Sequence, residues 1–151
     1  MMQSIIRNAT LSDLSRCAEL LAILFSQEKE FAPNATAQLH ALTMIAESPA
    51  SGQIFVAEVN GKVEGMVLLL FTISTYLGKR VALLEDMIVT PEWRGKGIGS
   101  QLLRHALAYA QSNGMGRVTL LTDLDNEAGH QFYKAHGFVR SSMVPFRYVW
   151  E

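Results

Sequence analysis

Hydrophobic residues in the first third of the chain recur with the spacing of helices, after one short apolar segment. Residues 4–9 form that segment and predict a strand. Apolar residues three and four apart predict a first helix, which Thr10 or Ser12 can cap and which ends near Ser26. The same spacing over residues 36–47 predicts a second helix.

The middle of the chain changes to long runs of apolar and β-branched residues, which are typical of strands. Residues 53–59 and 63–74 flank Asn60 and Gly61, a dipeptide that predicts a two-residue hairpin turn. A loop then leads to a further strand over residues 81–89. Pro91 ends this strand, because proline has no N–H to donate to a sheet.

The last third alternates helical and strand patterns. It predicts a helix over residues 97–113, a strand over 117–122 and a helix capped by Asn126 that ends at Gly137. Residues 139–142 and 146–150 predict two closing strands. Hairpins beside strand–helix–strand units predict an α/β (α+β) fold, with a mixed sheet and helices on both faces.

Composition narrows the class of protein. The 151 residues fit a single domain spanning 1–151, and 49% hydrophobic residues can form an ordinary core. The formal net charge of −1 gives no basic surface for nucleic acid. The longest strongly apolar run, residues 66–71, is too short to cross a membrane. A lone cysteine, Cys17, fits a reducing cytoplasm and the role of a small buried hydrophobe.

The sharpest chemical signal is a glycine-rich turn between the strand that ends at Val89 and the following helix. Gly95, Gly97 and Gly99 let a ligand approach the backbone closely. The first N–H groups of a helix have no internal partner and lie at the positive end of the helix dipole. Together with the cationic Arg94 and Lys96, they predict a site for a diphosphate.

Two other phosphate-binding motifs fit this turn less well. A dinucleotide fingerprint needs a third glycine where Ser100 stands, and no acidic residue ends a plausible second parallel strand. A Walker loop needs Gly-Lys followed by Ser or Thr, which the sequence lacks. A nucleotide-dependent oxidoreductase is therefore disfavoured.

Two separated motifs resemble the GNAT superfamily of N-acetyltransferases. Arg94, Gly97 and Gly99 match the family's Arg/Gln-x-x-Gly-x-Gly/Ala motif, and residues 126–138 (NEAGHQFYKAHGF) are similar to its downstream helix motif. Residues 84–95 (LEDMIVTPEWRG) look most like the spermidine/spermine N-acetyltransferase branch. The resemblance implies a mostly antiparallel central sheet with one splayed parallel pair of strands, and acetyl-CoA as co-substrate.

The resemblance also implies which residues bind acetyl-CoA. One strand would pair its backbone with the pantetheine arm, the glycine-rich turn would hold the pyrophosphate, and an asparagine would contact the cofactor arm. These residues are Met87, Ile88 and Val89 in the strand; Arg94, Gly95, Lys96, Gly97, Ile98, Gly99 and Ser100 in the turn; and Asn126.

Transfer to an amine needs a base for the amine proton and an acid for the thiolate. The resemblance implies Tyr133 as the acid, against the alternative of a core tyrosine packed on Phe132. It implies Glu85 as the base, with Asp86 as the second candidate. Strict alternation separates Glu85 from Ile88, which would lie on opposite faces of the strand.

A structural ion pair with Arg80 or Arg147 is the alternative role for Glu85. The histidines show no metal-ligand spacing, so no metal site is predicted. They are expected on solvated helix surfaces.

The acceptor remains open at this point. In the family, the first helix pair and the loop before the core strand wall the acceptor pocket. Here those are Phe25, Glu28, Glu30, Phe31, Phe71 and Tyr76. A polyamine-like, amino-acid-like or aminoglycoside-like primary amine and a protein amine are alternatives, as is a non-catalytic acetyl-CoA-binding module. No membrane or nucleic-acid partner is expected, and Phe146 and Trp150 could pack a homodimer.

Overall fold

Five strands and four helices make up the fold in a computed structural model, which describes residues 2–151. In chain order they are β1 (Ser4–Asn8), α1 (Leu14–Gln27), α2 (Ala35–Ala46), β2 (Gly52–Val59), β3 (Lys62–Ser74), β4 (Lys79–Val89), α3 (Ile98–Ser112), β5 (Val118–Leu120) and α4 (Glu127–Ala135). The chain forms two compact units. The first ends at Leu121, and the second runs from Thr122 to Glu151.

The sheet lies entirely in the first unit and has the strand order β1-β2-β3-β4-β5. Neighbouring strands are antiparallel except β4 and β5, which are parallel and pair from Ala82 with Val118 to Leu84 with Leu120. Asn60 and Gly61 both have positive φ, of 50° and 84°, which is the backbone that a tight hairpin turn requires. The predicted mixed, mostly antiparallel sheet is confirmed.

Helices cover both faces of this sheet, as predicted. The core between the sheet and α1 and α2 consists of buried aliphatic and sulfur-containing side chains: Leu14, Cys17, Leu20, Leu21, Leu42, Ile54, Val56, Met66, Leu68 and Ile88. The alternate residues of β2 and β3 lie on the other face, where Phe55 contacts the rings of α3. The side chains of β3 thus divide between two cores, which explains why the strand is apolar almost throughout.

A partly buried polar cluster fixes the entry to α1. The Arg7 guanidinium donates to both carboxylate oxygens of Asp13, at 2.7 and 3.1 Å, and the backbone N–H of Thr10 donates to the same carboxylate. These bonds, with the Arg7 side chain first, lower the pKa of Asp13 to about 2. Thr10, one of the two predicted caps, is the N-cap of the single helical turn Leu11–Asp13 that leads into α1.

The predicted closing strands are wrong. Residues 139–142 and 146–150 form no strand in the described chain, and the side chains of Phe146 and Trp150 are 94% and 82% exposed. Alternating aromatic residues favour an extended backbone, but a strand also needs a hydrogen-bonded neighbour. The second unit contains no ladder that could supply one.

Two smaller expectations also need correction. β5 covers Val118–Leu120 and not residues 117–122, because its pairing with β4 ends at Leu84. His105 was expected on a solvated helix surface, but it is half-buried with its ring centroid 5.1 Å from that of Phe55. Cys17 is fully buried, which raises the pKa of its thiol to about 12 and fits the expected packing role.

Candidate active site

A bulge in β4 sets the geometry of the candidate site. Glu85 pairs with Leu68 and Ile88 pairs with Met66, so two residues of β4 oppose only Val67 of β3. At the bulge Asp86 has φ of +56°, a left-handed backbone that asparagine and aspartate adopt more readily than most residues. The bulge occurs where the sequence suggested regular alternation.

The bulge changes which side chains share a face. Residues directly opposite each other in an antiparallel pair project to the same side. Glu85 and Ile88 therefore lie on the same face as Leu68 and Met66, which is the face covered by α1 and α2. The prediction that Glu85 and Ile88 lie on opposite faces is wrong, because the extra residue shifts the alternation by one.

Beyond the bulge, β4 has an open edge. Its pairing with β5 stops at Leu84, and from residue 85 to residue 89 no strand within residues 2–121 pairs with that side. Met87, Ile88 and Val89, which the sequence predicted to bind the pantetheine arm, lie on this edge. Backbone groups at an open strand edge can pair with an extended ligand in the manner of an added strand.

The predicted diphosphate site comes directly after this edge along the chain. A single helical turn, Pro91–Trp93, leads into residues 94–100, which we term the glycine loop. Gly95 and Gly97 have φ of +74° and +85°, and a Cβ at either position would meet nothing within 4 Å. Gly97 is the N-cap of α3, so it offers no side chain to the first N–H groups of the helix.

The buried side chain of Ile98 packs the start of α3 against the core. Its side chain is only 1% exposed and anchors the helix N-terminus to the core below the glycine loop. Residues 94–97 of the glycine loop are exposed on the surface, directly before the buried Ile98. The structure therefore brings the predicted residues 94–100 together around an exposed helix N-terminus.

The two cations of the glycine loop have defined contacts. Arg94 Nε donates to the carbonyl oxygen of Val89 at 2.9 Å, which ties the loop to the end of β4. Lys96 Nζ lies 4.8 Å from the centroid of the Trp93 ring, a cation–π contact. Both side chains are exposed and add positive charge beside the helix N-terminus.

An apolar groove lies between α1 and α2 above β3 and β4, and we term it the acceptor groove because Phe25, a predicted wall residue of the acceptor pocket, lines it. Its volume is about 260 Å³. Most of its walls come from aliphatic, aromatic and small side chains of the two helices: Leu21, Phe25, Ala37, Ala41, Leu42 and Ile45. Gln38 adds an amide to the wall, and Asp86 adds a carboxylate beside Leu68.

Asp86 is the electrostatically distinctive residue of this groove. Burial, followed by the neighbouring negative charges of Glu85 and Glu28, raises the pKa of its carboxyl to about 7. A carboxyl with this pKa exchanges a proton near neutral pH. Glu85 is exposed, in contrast to the half-buried Asp86.

The structure brings only some of the residues expected to wall the acceptor pocket to the acceptor groove. Phe25 lines the acceptor groove, and Phe31 packs against it with ring centroids 5.7 Å apart. Phe71 lies on the other face of the sheet, where it stacks on Tyr109 of α3 at 6.3 Å. Tyr76 is 91% exposed in the turn between β3 and β4.

Sequence analysis expected the first helix pair to wall the acceptor pocket but named no residue of α2. Its signal was present in Ala37, Ala41 and Ile45, which are four residues apart and therefore lie on one side of the helix. Small side chains on that side leave space between α2 and its neighbours. Spacing alone could not show that this space opens onto a carboxylate.

The second unit holds the other two predicted site residues. Asn126 caps α4, because its Oδ1 accepts from the N–H of Gly129 at 3.1 Å, while its Nδ2 donates to Thr122 Oγ1. Tyr133 packs against Phe132 and Phe138, with ring centroids at 5.3 and 5.7 Å. The cap is as predicted, and the roles of Asn126 with acetyl-CoA and of Tyr133 as an acid stay predictions.

Residues 2–151, which the structure describes, hold neither a metal-ligand cluster nor a helix of membrane-spanning character. They contain no group of three His, Cys, Asp or Glu side chains arranged to hold a metal ion. None of their helices combines the length and apolar character needed to cross a bilayer. His130 and His136 each place a ring nitrogen within hydrogen-bond distance of a backbone carbonyl, of Asp123 and Phe132 respectively.

Comparison with known proteins identifies the family. The sequence model described as "Acetyltransferase (GNAT) family" matches residues 15–138, a range that includes β4, the glycine loop and α4. The chain belongs to the GNAT acetyltransferase family. Its open β4 edge and glycine loop are therefore features of an acyltransferase fold.

Individual relatives agree with this assignment. This GNAT chain is 34% identical over 135 residues to the "Uncharacterized N-acetyltransferase YhfO" of Bacillus subtilis, covering 88% of each protein. It is 36% identical over 75 residues to the thialysine N-epsilon-acetyltransferase of Bos taurus, which covers 50% of the chain and 44% of that enzyme. The crystal structure of a possible acetyltransferase from Clostridium difficile 630 has the same fold, with a TM-score of 0.88 over 98% of both chains at 16% identity.

Proposed function

We propose that this GNAT protein transfers the acetyl group of acetyl-CoA to the primary amine of a small molecule. The observation that carries the proposal is the continuity of three features along one segment. The carboxylate of Asp86 lines the acceptor groove, the open edge of β4 follows it, and the glycine loop follows that edge. A thioester lying along the edge with its diphosphate on the loop would therefore end beside the carboxylate.

The chain's own residues supply what binding of acetyl-CoA requires. The left-handed backbone at Gly95 and Gly97 exposes N–H groups to a diphosphate, and no protein atom occupies the space that a Cβ would take. Arg94 and Lys96 add positive charge at the same end of α3. Met87, Ile88 and Val89 offer backbone groups to the pantetheine arm, and one such N–H, for example that of Met87, would stabilise the oxyanion.

The acceptor amine must lose a proton before it reacts. An alkyl amine has a pKa of about 10.4, so roughly one molecule in a thousand is neutral at pH 7. We assign the base to Asp86, because it lines the groove and its pKa of about 7 suits proton transfer at neutral pH. Glu85, the base expected from the sequence, lies on the same face with an exposed side chain, and its role stays a prediction.

The leaving thiolate gains from a proton donor, and we assign this role to Tyr133. The assignment rests on its position in the downstream motif, where the family places a tyrosine. A phenol is a weak acid with a pKa of about 10, so it can protonate a thiolate and be restored from solvent.

The experiment is a thiol-release assay with acetyl-CoA and a panel of primary amines, run beside calorimetry of acetyl-CoA binding. Amine-dependent release of CoA that drops in Asp86→Asn and less in Glu85→Gln supports the proposal and the assigned base. A larger drop in CoA release for Glu85→Gln than for Asp86→Asn would support Glu85 as the base instead. Acetyl-CoA binding without release on any amine would contradict the enzymatic proposal and support a non-catalytic binding module.

A further inference from the structure

The acceptor groove differs in chemistry from a site for a polar amine. Its walls along α1 and α2 are apolar, and the side chains that line it include one carboxylate, Asp86, and one amide, Gln38. None of the described residues lining it is basic. The charges of Glu85 and Glu28 act on Asp86, and both are acidic.

The size of the groove limits its occupant. Pockets for drug-sized ligands have volumes of roughly 300–1,000 Å³, and this groove at about 260 Å³ falls just below that range. An aminoglycoside is much larger than such a space. A small molecule with one short chain or one ring fits it better.

Charge limits the occupant further. The carboxylate of an amino acid would find no cation among the groove residues and would lie near three acidic side chains. A second ammonium group on the acceptor would lie against apolar walls without a partner along α2. The groove therefore accommodates one ammonium charge, placed near Asp86.

We propose that the acceptor is a small monoamine with an uncharged apolar body, which lies between α1 and α2 with its nitrogen at Asp86. This inference rests on the proposed acetyltransferase function and names the substrate class of that site. The apolar walls also disfavour the ammonium form of the bound amine, which brings its proton affinity closer to that of the carboxylate.

The reaction at this position balances. The amine arrives as an ammonium ion, and one proton passes to the Asp86 carboxylate. The nitrogen then forms a bond to the acetyl carbonyl carbon, the carbon–sulfur bond breaks, and the sulfur keeps the electron pair. The nitrogen's second proton is released to solvent, while Tyr133 protonates the thiolate and regains a proton from solvent. The products are therefore the N-acetyl amine, free CoA thiol and a protonated Asp86 that returns its proton to solvent.

Three amines of equal length test the inference with the full chain and acetyl-CoA. n-Hexylamine, 1,6-diaminohexane and 6-aminohexanoate differ only in the terminal group, which is a methyl, an ammonium or a carboxylate. We expect kcat/KM for n-hexylamine to exceed both others by at least about tenfold, because the second charge must be desolvated against an apolar wall. Equal or better kcat/KM for the diamine or the amino acid overturns this inference and leaves the proposed function standing.

A matched pair of variants tests the position of the acceptor. Ala41→Trp fills the groove, whereas His40→Trp adds the same side chain at the neighbouring exposed position, which does not line it. We expect Ala41→Trp to raise KM for n-hexylamine at least about tenfold at unchanged KM for acetyl-CoA, and His40→Trp to change neither. An unchanged KM for n-hexylamine in a folded Ala41→Trp protein overturns the assignment of the groove. Absence of turnover with every amine, despite acetyl-CoA binding, overturns the proposed function itself.

Discussion

Thr90 and Glu64 form a buried hydrogen bond directly before the glycine loop. Thr90 Oγ1 donates to Glu64 Oε2 at 2.6 Å, and the N–H of Thr90 donates to the backbone oxygen of Glu64 at 2.8 Å. Thr90 is only 2% exposed and Glu64 only 3% exposed. Arg16 Nη2 lies 3.3 Å from the other carboxylate oxygen of Glu64, Oε1. This pair fixes the residue from which the chain turns into the glycine loop.

Replacing Thr90 by valine removes the hydrogen bond from the Thr90 side chain to Glu64 and keeps the branched shape of the side chain. A buried carboxylate oxygen then loses its donor, which we expect to lower the free energy of unfolding by about 1–3 kcal/mol. It should also raise KM for acetyl-CoA more than it lowers kcat, because the start of the loop is less well held. Urea unfolding and steady-state kinetics measure the two effects.

The control for this variant is Thr43→Val. Thr43 Oγ1 donates to the carbonyl oxygen of Leu39 at 2.8 Å on the exposed side of α2, where water can replace the bond. We expect little change in stability or in KM. If Thr90→Val behaves like this control, the buried pair does not position the loop.

Asp86→Asn should stabilise the protein at alkaline pH. The pKa of Asp86 is raised to about 7, chiefly by burial, so between pH 4 and 7 the folded state holds a proton that the unfolded state releases. Stability therefore falls as pH rises through this window. Asparagine removes the charge and tolerates the left-handed backbone, and at about 1.4 kcal/mol per pKa unit we expect a gain on the order of 2–4 kcal/mol at pH 8.

The gain should disappear below about pH 4, where the carboxyl is protonated in both states. Thermal unfolding of Asp86→Asn and the parent from pH 4 to pH 9 measures this dependence. A constant difference between Asp86→Asn and the parent at all pH values would contradict a raised pKa.

Gly97→Glu should abolish binding of acetyl-CoA. The glutamate would occupy the space in front of the α3 N-terminus and bring a negative charge to the diphosphate site, and we expect the Kd to rise by more than about 100-fold. Calorimetry measures the Kd. Gly114→Glu is the control, because Gly114 also has a positive φ, of 74°, beyond the other end of α3. Similar affinities in the two variants would place the diphosphate elsewhere.

Tyr133→Phe should lower turnover more than affinity. Loss of a positioned proton donor is expected to reduce kcat by roughly 10- to 100-fold with little change in the Kd for acetyl-CoA. Tyr148→Phe, at a tyrosine that is 80% exposed, serves as the control. Equal kcat in both variants would remove the acid role from Tyr133 and leave the fold assignment untouched.

Local patterns were enough to locate most elements. The helices at Leu14–Gln27, Ala35–Ala46 and Ile98–Ser112 lie within a few residues of their predicted bounds, because apolar periodicity and capping residues act over short stretches. The turn at Asn60 and Gly61 follows from the same kind of local preference. Two short motifs identified the family, because they describe a loop and a helix that each form from consecutive residues.

By itself, then, the sequence determined the order of the elements from β1 to α4, the family and the glycine loop, since each depends on neighbours along the chain. Only the tertiary structure decided that a bulge breaks the alternation of β4, that Phe71 faces α3, and that Asp86 lines a groove between two helices. These depend on the pairing of β3 with β4 and on which helix covers each face. The prediction of two closing strands was wrong because an extended segment becomes a strand only where another strand accepts its hydrogen bonds.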